Sequence, residues 1–265
     1  MIGICRIISR KYLSLYIVPL FFAILCFFCP YSSAEKDFYG SIDIEQYVTG
    51  RFDPSQNKAF ISLKEAGVPC DEKQHFLRKD AAAALKEMLE RFHRENPGVG
   101  IFVRSSTRTF QDQRKIWNDK WDGTVLVNGV NLRKSIADPG KRAREILRYS
   151  SMPGTSRHHW GTDVDFNSLA NSYFGKGKGK VIFDWLCAHG AEYGFCRPYT
   201  EGRQSGYNEE KWHWSYSPAA KIFLADWNKF VSGKAGTDAG AQFHGAREAW
   251  PLASLYVNSI NEDCR

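Results

Sequence analysis

Residues 155–166 read TSRHHWGTDVDF: two adjacent histidines, a glycine, then two aspartates one residue apart. The closing alternation predicts a strand over Thr162–Phe166, because successive side chains of a strand point to opposite faces. Asp163 and Asp165 then share one face and Val164 takes the other. Gly161 permits a tight entry into that strand, so that an upstream histidine folds back beside Asp165. On spacing, His158 and His159 fit that role equally well. One histidine and one aspartate make half of a metal site; the plainer alternative is a loop histidine bonded to a surface aspartate.

Helices and short strands alternate irregularly around this stretch. Leu85, Met88, Leu89 and Phe92 recur at helical spacing after Asp80, which predicts a helix capped by Asp80 and ended by Asn96–Gly98. A β-rich run, VGIFVRSS, follows, then helix-compatible residues from Phe110 to Trp117. The insertion over about 119–137 predicts a hairpin turning at Asn128–Gly129. Asp138 and Pro139 fit the cap and first position of another helix. Val181–His189 reads as helical with Gly190 as its stop, and Ser217–Pro218 opens a helix reaching about Val231. No internal repeat and no Gly-rich nucleotide loop is present. The expected class is α+β, with helices packed on a small, mainly antiparallel sheet.

Two further segments carry chemistry. In NEEKWHWSYSP, Glu210 precedes His213 by three residues. A straight strand would send them to opposite faces, so a shared site requires a turn or bulge between them. In SSTRTFQDQ, Arg108 follows a predicted strand and Gln113 lies five residues on. An exposed arginine in a surface ion pair contributes little; a guanidinium fork can instead grip a carboxylate through two parallel hydrogen bonds.

Together the three segments resemble the zinc D-alanyl-D-alanine carboxypeptidases and dipeptidases, in the superfamily that includes lysostaphin-type endopeptidases and the hedgehog signalling domain. The pattern S-x-H-x-x-G-x-x-x-D falls on Ser156, His158, Gly161 and Asp165, and selects His158 over His159. E-x-W-H falls on Glu210, Trp212 and His213. The resemblance covers about residues 80–230 and implies a hedgehog-like fold. It also implies Zn2+ held by His158, Asp165 and His213, with Glu210 as general base. Arg108, Gln113 and Ser156 would bind the peptide near its free C-terminus. Many relatives have alanine at the position of Asp163 and proline at that of Lys211.

The implied activity is removal of the C-terminal D-alanine from peptidoglycan stem peptides. The alternatives are an L,D-carboxypeptidase, a peptidoglycan endopeptidase, or a zinc-containing cell-wall binding module without turnover. The presence of Glu210 speaks against the last.

The N-terminus fits export. Arg6, Arg10 and Lys11 precede an apolar run from Leu13 to Cys29, and Ser32 and Ala34 supply a small-x-small cleavage site. Residues 1–34 are thus expected to be a signal peptide, 35–79 an N-terminal extension, 80–232 the peptidase domain and 233–265 a C-terminal extension. The destination is the periplasm or cell envelope, with an uncleaved anchor as the alternative. The mature chain is mildly basic, without the basic, aromatic-studded stripe of a nucleic-acid binder. A monomer without stable membrane insertion is expected. Cys70, Cys187, Cys196 and Cys264 remain after the leader; the local pair Cys187–Cys196 and the long-range pair Cys70–Cys264 are preferred. His75, His93, His189 and His244 have no acidic or histidine partner at a telling spacing.

Overall fold

The computed structural model describes residues 38–232 and 242–265; the expected signal peptide lies outside the described residues. Among them, no helix is long and apolar enough to cross a membrane. Two antiparallel sheets form. β1 (Phe60–Ser62) pairs with β2 (Phe76–Arg78). The central sheet has four strands in the order β3-β4-β6-β5: β3 (Val103–Ser105), β4 (Asp163–Phe166), β5 (Phe195–Cys196) and β6 (His213–Tyr216). Every pairing in it is antiparallel. Six helices matter for the site: α1 (Ile44–Val48), α2 (Lys79–Glu95), α3 (Phe110–Trp121), α4 (Pro139–Leu147), α5 (Gly177–His189) and α6 (Ser217–Phe230).

The two faces of the central sheet have different chemistry because side chains alternate along β4 and β6. Val164, Phe166 and Trp214 join Val103 in a buried apolar cluster with Leu85, Met88, Leu89 and Phe92 of α2 and Ile182 and Leu186 of α5. Asp163, Asp165, His213 and Ser215 face the other way, all buried. A second apolar cluster covers that side, built from Trp117 of α3, Ile146 and Leu147 of α4, Trp160, and Phe223 and Trp227 of α6. Val164 and Phe166 therefore anchor the strand in one core while Asp163 and Asp165 are held between the two.

The N-terminal segment braces the loop ahead of β4. Tyr47 Oη donates to Trp160 O (3.0 Å), and Trp160 Nε1 donates to Val48 O (3.0 Å). Gly161 has φ +72°, and a Cβ there would lie 2.3 Å from the Phe60 ring. Only glycine suits that combination of left-handed backbone and close approach; the Gly161 carbonyl is then free to accept from Arg78 N–H at 2.9 Å.

Several sequence expectations are corrected. Asp80 does not cap α2: the cap residue is Arg78, without a side-chain cap bond, and Asp80 lies in the first turn, bonded to the Arg78 guanidinium. The predicted hairpin reduces to an antiparallel bridge between Val127 and Val130. Its turn is as expected, with positive φ at Asn128 and Gly129, but Val125, Leu126 and Val130 are exposed and of the bridging pair only Val127 is buried. α3 runs to Trp121, beyond the expected Trp117, and opens on a Thr109–Asp112 capping box. α6 is preceded by Tyr216, which puts Ser217 inside the helix. α5 begins at Gly177, ahead of the expected Val181; Gly190 caps its end as expected, and a separate 3-10 turn then runs to the left-handed Gly194.

The disulfide pairing also differs. Cys196 bonds Cys264, with Cα atoms 5.6 Å apart, while Cys70 and Cys187 are free. The C-terminal tail returns alongside β5, where Asn261 N–H donates to Pro198 O (2.9 Å). Cys187 sits on an exposed part of α5. Proximity in sequence was the wrong guide, because the returning tail brings Cys264, and not Cys187 of the helix, to bonding distance of Cys196.

Candidate metal centre and substrate pocket

Antiparallel register brings the distant halves of the site together. Asp165 lies opposite His213 and Asp163 opposite Ser215. His158 arrives from the 3-10 turn Arg157–Trp160, which Gly161 terminates. The ligand atoms of His158, Asp165 and His213 lie within 4.8 Å of one another, and all three residues are buried. His158 Nε2 is 3.2 Å from His213 Nδ1 and 3.3 Å from Asp165 Oδ2; His213 Nδ1 is 3.0 Å from Asp165 Oδ1. His159 takes no part in this cluster.

The donor set fits a zinc ion. His158 Nδ1 is 2.7 Å from Ser106 O and donates to it, so its Nε2 presents a lone pair to the cluster. Burial, then the Arg108 charge, lowers the His158 pKa and favours the neutral, ligating form. Burial opposes the Asp165 charge, yet His158 and His213 outweigh it and hold the carboxyl well below its usual range. Burial likewise works against protonated His213, but bonds to Asp163 and Asp165 raise its pKa to about 9. Two imidazoles and one carboxylate make the three-ligand arrangement of catalytic zinc, which keeps a fourth position open.

A cleft of about 630 Å³ opens onto the cluster, lined in part by Arg108, Gln113, Lys120, Tyr199, Glu210 and Trp212. The turn that Glu210 and His213 required is present at Lys211–Trp212, and Glu210 Oε2 comes within 3.6 Å of His213 Nδ1. Burial raises the Glu210 pKa to about 7, a rise that His213 partly offsets. Arg108 Nη1 is 3.4 Å from Ser105 Oγ and 3.9 Å from Asp165 Oδ2, and its buried Nε has no hydrogen-bond partner. Gln113 Nε2 donates to Ser151 O (2.7 Å), while its Oε1 is unpartnered. Ser156 caps the turn that carries His158. Its buried Oγ is also unpartnered, but the residue does not line the cleft.

The roles of four residues around the site were not read from the sequence. His159 bonds the Arg108 carbonyl through Nδ1 (2.7 Å) and accepts from Gly154 N–H at Nε2 (3.1 Å). It ties the arginine's backbone to the loop behind it, and burial lowers its pKa to about 3. Lys120 reaches the cleft because it lies two helical turns beyond Gln113 on α3, a spacing visible once the helix extends past Trp117. Burial, then repulsion from Arg108, lowers its pKa to about 8, and its Nζ donates to Ser150 Oγ. Ser106 is held from behind by His75, whose ring bonds Ser106 Oγ (3.0 Å) and Asp71 (2.7 Å). His75, His189 and His244 thus each have an acidic neighbour: Asp71, Glu192 and Asp122.

A buried metal-binding triad beside a carboxylate of raised pKa and a cleft arginine defines a metallopeptidase-type site. Residues 74–219 match the model of the D-alanyl-D-alanine carboxypeptidase family VanY, and the chain belongs to that family as a carboxypeptidase-type metallopeptidase. Among solved structures, the LdcB LD-carboxypeptidase is similar at 19% identity and TM-score 0.47, over 67% of this chain and 76% of that one. VanYB in complex with D-alanine-D-alanine is similar at 20% identity and TM-score 0.44, over 63% and 89%. A VanY D,D-pentapeptidase variant in complex with Zn(II) is similar at 22% identity and TM-score 0.43, over 59% and 83%. Among curated proteins, none matches the chain at a significant level.

Proposed function

We propose that this chain is an exported zinc D,D-carboxypeptidase that removes the C-terminal D-alanine from peptidoglycan stem peptides. The leader-like N-terminus supports export, and residues 80–232 form the peptidase domain flanked by the 35–79 and 233–265 extensions. One observation carries the proposal: Arg108 and Glu210 line a single cleft over the His158–Asp165–His213 cluster.

Each side chain has a task that its surroundings permit. Arg108, whose Nε has no partner within the protein, takes the terminal carboxylate of the peptide in a two-pronged bond. Gln113 is held by Ser151 and offers Oε1 to a peptide N–H; Ser156, which does not line the cleft, is given no contact with the peptide. Zinc, when bound by His158, Asp165 and His213, supplies Lewis acidity toward a carbonyl and lowers the pKa of water to about 7. Glu210, poised near neutrality, accepts a proton from the attacking water and returns it to the leaving amine. The arginine clamp favours release of a terminal residue over cleavage within a chain.

Mass spectrometry of a stem pentapeptide after digestion tests this directly. Loss of one D-alanine is expected, and Glu210→Gln should abolish it. Arg108→Ala should lower kcat/KM by about 10- to 100-fold, the equivalent of one hydrogen bond to a charged group. A C-terminally amidated peptide should already be a poor substrate. Equal cleavage of free and amidated peptides would remove the clamp; cleavage of the tetrapeptide alone would make the enzyme an L,D-carboxypeptidase.

A further inference from the structure

Two aspartates flank the His213 ring, one at each nitrogen. Asp165 approaches Nδ1 on the side of His158 and Glu210. Asp163 Oδ2 lies 2.8 Å from Nε2 on the opposite side. The arrangement follows from the sheet: Asp165 pairs directly across from His213, while Asp163 pairs with Ser215 and meets the ring diagonally. We propose that Asp163 is a positioning residue of the metal centre, fixing His213 with its proton on Nε2 and its Nδ1 lone pair toward the ion. The inference rests on the metal-site reading above.

Asp163 is equipped for this task and for little else. Its Oδ2 accepts from His213 Nε2 and from Arg157 Nε (3.0 Å). Its Oδ1 accepts from Ser215 Oγ (2.8 Å) and Thr162 Oγ1 (2.6 Å). Four donors fill the roughly four lone-pair sites of a carboxylate. With its oxygens committed in this way, Asp163 is not a further metal ligand, although it shares a strand face with Asp165. An ionised carboxylate only accepts, so the ring nitrogen facing it must carry the hydrogen.

Arg157 keeps that carboxylate in place. Its Nη2 donates to Ser215 Oγ (2.6 Å), and its guanidinium lies 4.7 Å over the Trp160 ring. Arg157, Asp163 and Ser215 are each at most 1% exposed. A buried ion pair kept only for stability would gain nothing from a third contact with a metal-binding ring, and apolar residues of similar volume often serve as well. Here the pair is completed by His213, and carboxylate partners of ligating histidines orient the ring and strengthen the donor.

The test uses the mature protein and the doubles Arg157→Met/Asp163→Ala and Arg157→Met/Asp163→Asn, which avoid leaving a buried arginine unpaired. Zinc affinity is measured by competition with a chromophoric chelator at fixed pH, beside circular dichroism of each variant. The alanine double should bind zinc about 10- to 100-fold more weakly than wild type. The asparagine double retains an acceptor oxygen and should recover part of the loss. Should either variant fail to fold, 15N shifts of the His213 ring in zinc-loaded wild type decide the matter: protonated Nε2 supports the assignment and protonated Nδ1 overturns it. Undiminished affinity in the alanine double also overturns it, leaving the metal centre intact. A wild-type protein that takes up no zinc overturns the metal-centre reading and this inference together.

Discussion

Glu210→Gln should make the metal-free protein more stable at pH 8 while removing its activity. Glu210 has a pKa raised from the ordinary 4.5 to about 7, chiefly by burial. Between those values the folded state holds a proton that the unfolded chain has released. Wild-type stability therefore falls as pH rises through this window, and above pH 7 the full cost of the buried charge is present. The difference corresponds to about 3 kcal/mol. The carboxylate is 14% exposed at the cleft wall, and residual solvation brings the expectation to about 2–3 kcal/mol. Glutamine keeps the shape without the charge. Urea unfolding of both proteins with a chelator present should show that gap at pH 8, shrinking below about 1 kcal/mol at pH 5. In thermal melts it should appear as a Tm rise of about 5–10 °C at pH 8. A bound cation attracts the carboxylate, so zinc should narrow the gap. A variant no more stable than wild type at pH 8, or a gap that ignores pH, would refute the claim that burial sets the state of Glu210.

Two further outcomes follow from the same structure. His213 carries a proton up to about pH 9 without metal, so zinc must displace it. Apparent zinc affinity should rise about tenfold per pH unit between 6 and 8, and a flat profile by chelator competition would contradict this. Cys264→Ser opens a link between residues 68 positions apart and should cost about 2–4 kcal/mol of stability. Activity on a small peptide should survive, because neither cysteine lines the catalytic cleft. An unchanged unfolding midpoint under oxidising conditions would show that the link contributes nothing.

Much of the site was legible before any coordinates. The D-x-D alternation placed Asp163 and Asp165 on one face, and the i, i+3 spacing of Glu210 and His213 demanded the turn found at Lys211–Trp212. Those are local facts, set by the two-residue period of a strand and the reach of one turn. Local spacing left His158 and His159 equal; the family pattern selected His158, and the structure agrees. Neighbouring residues of a 3-10 turn point in different directions, and only the packing sends His158 to the cluster and His159 to the Arg108 carbonyl.

Sequence alone determined the residue types, the strand and helix periods, and the turn glycine that brings the histidine loop close to its strand. Tertiary structure alone decided which groups stand behind them. Asp163 became the partner of His213 through cross-strand register, Lys120 reached the cleft through an extra turn of α3, and Cys264 met Cys196 because the tail returns beside β5. The physical reason is common to all three: spacing along a chain sets which face a side chain takes within its own element. What it meets across that face depends on how the elements pack, which local spacing does not encode.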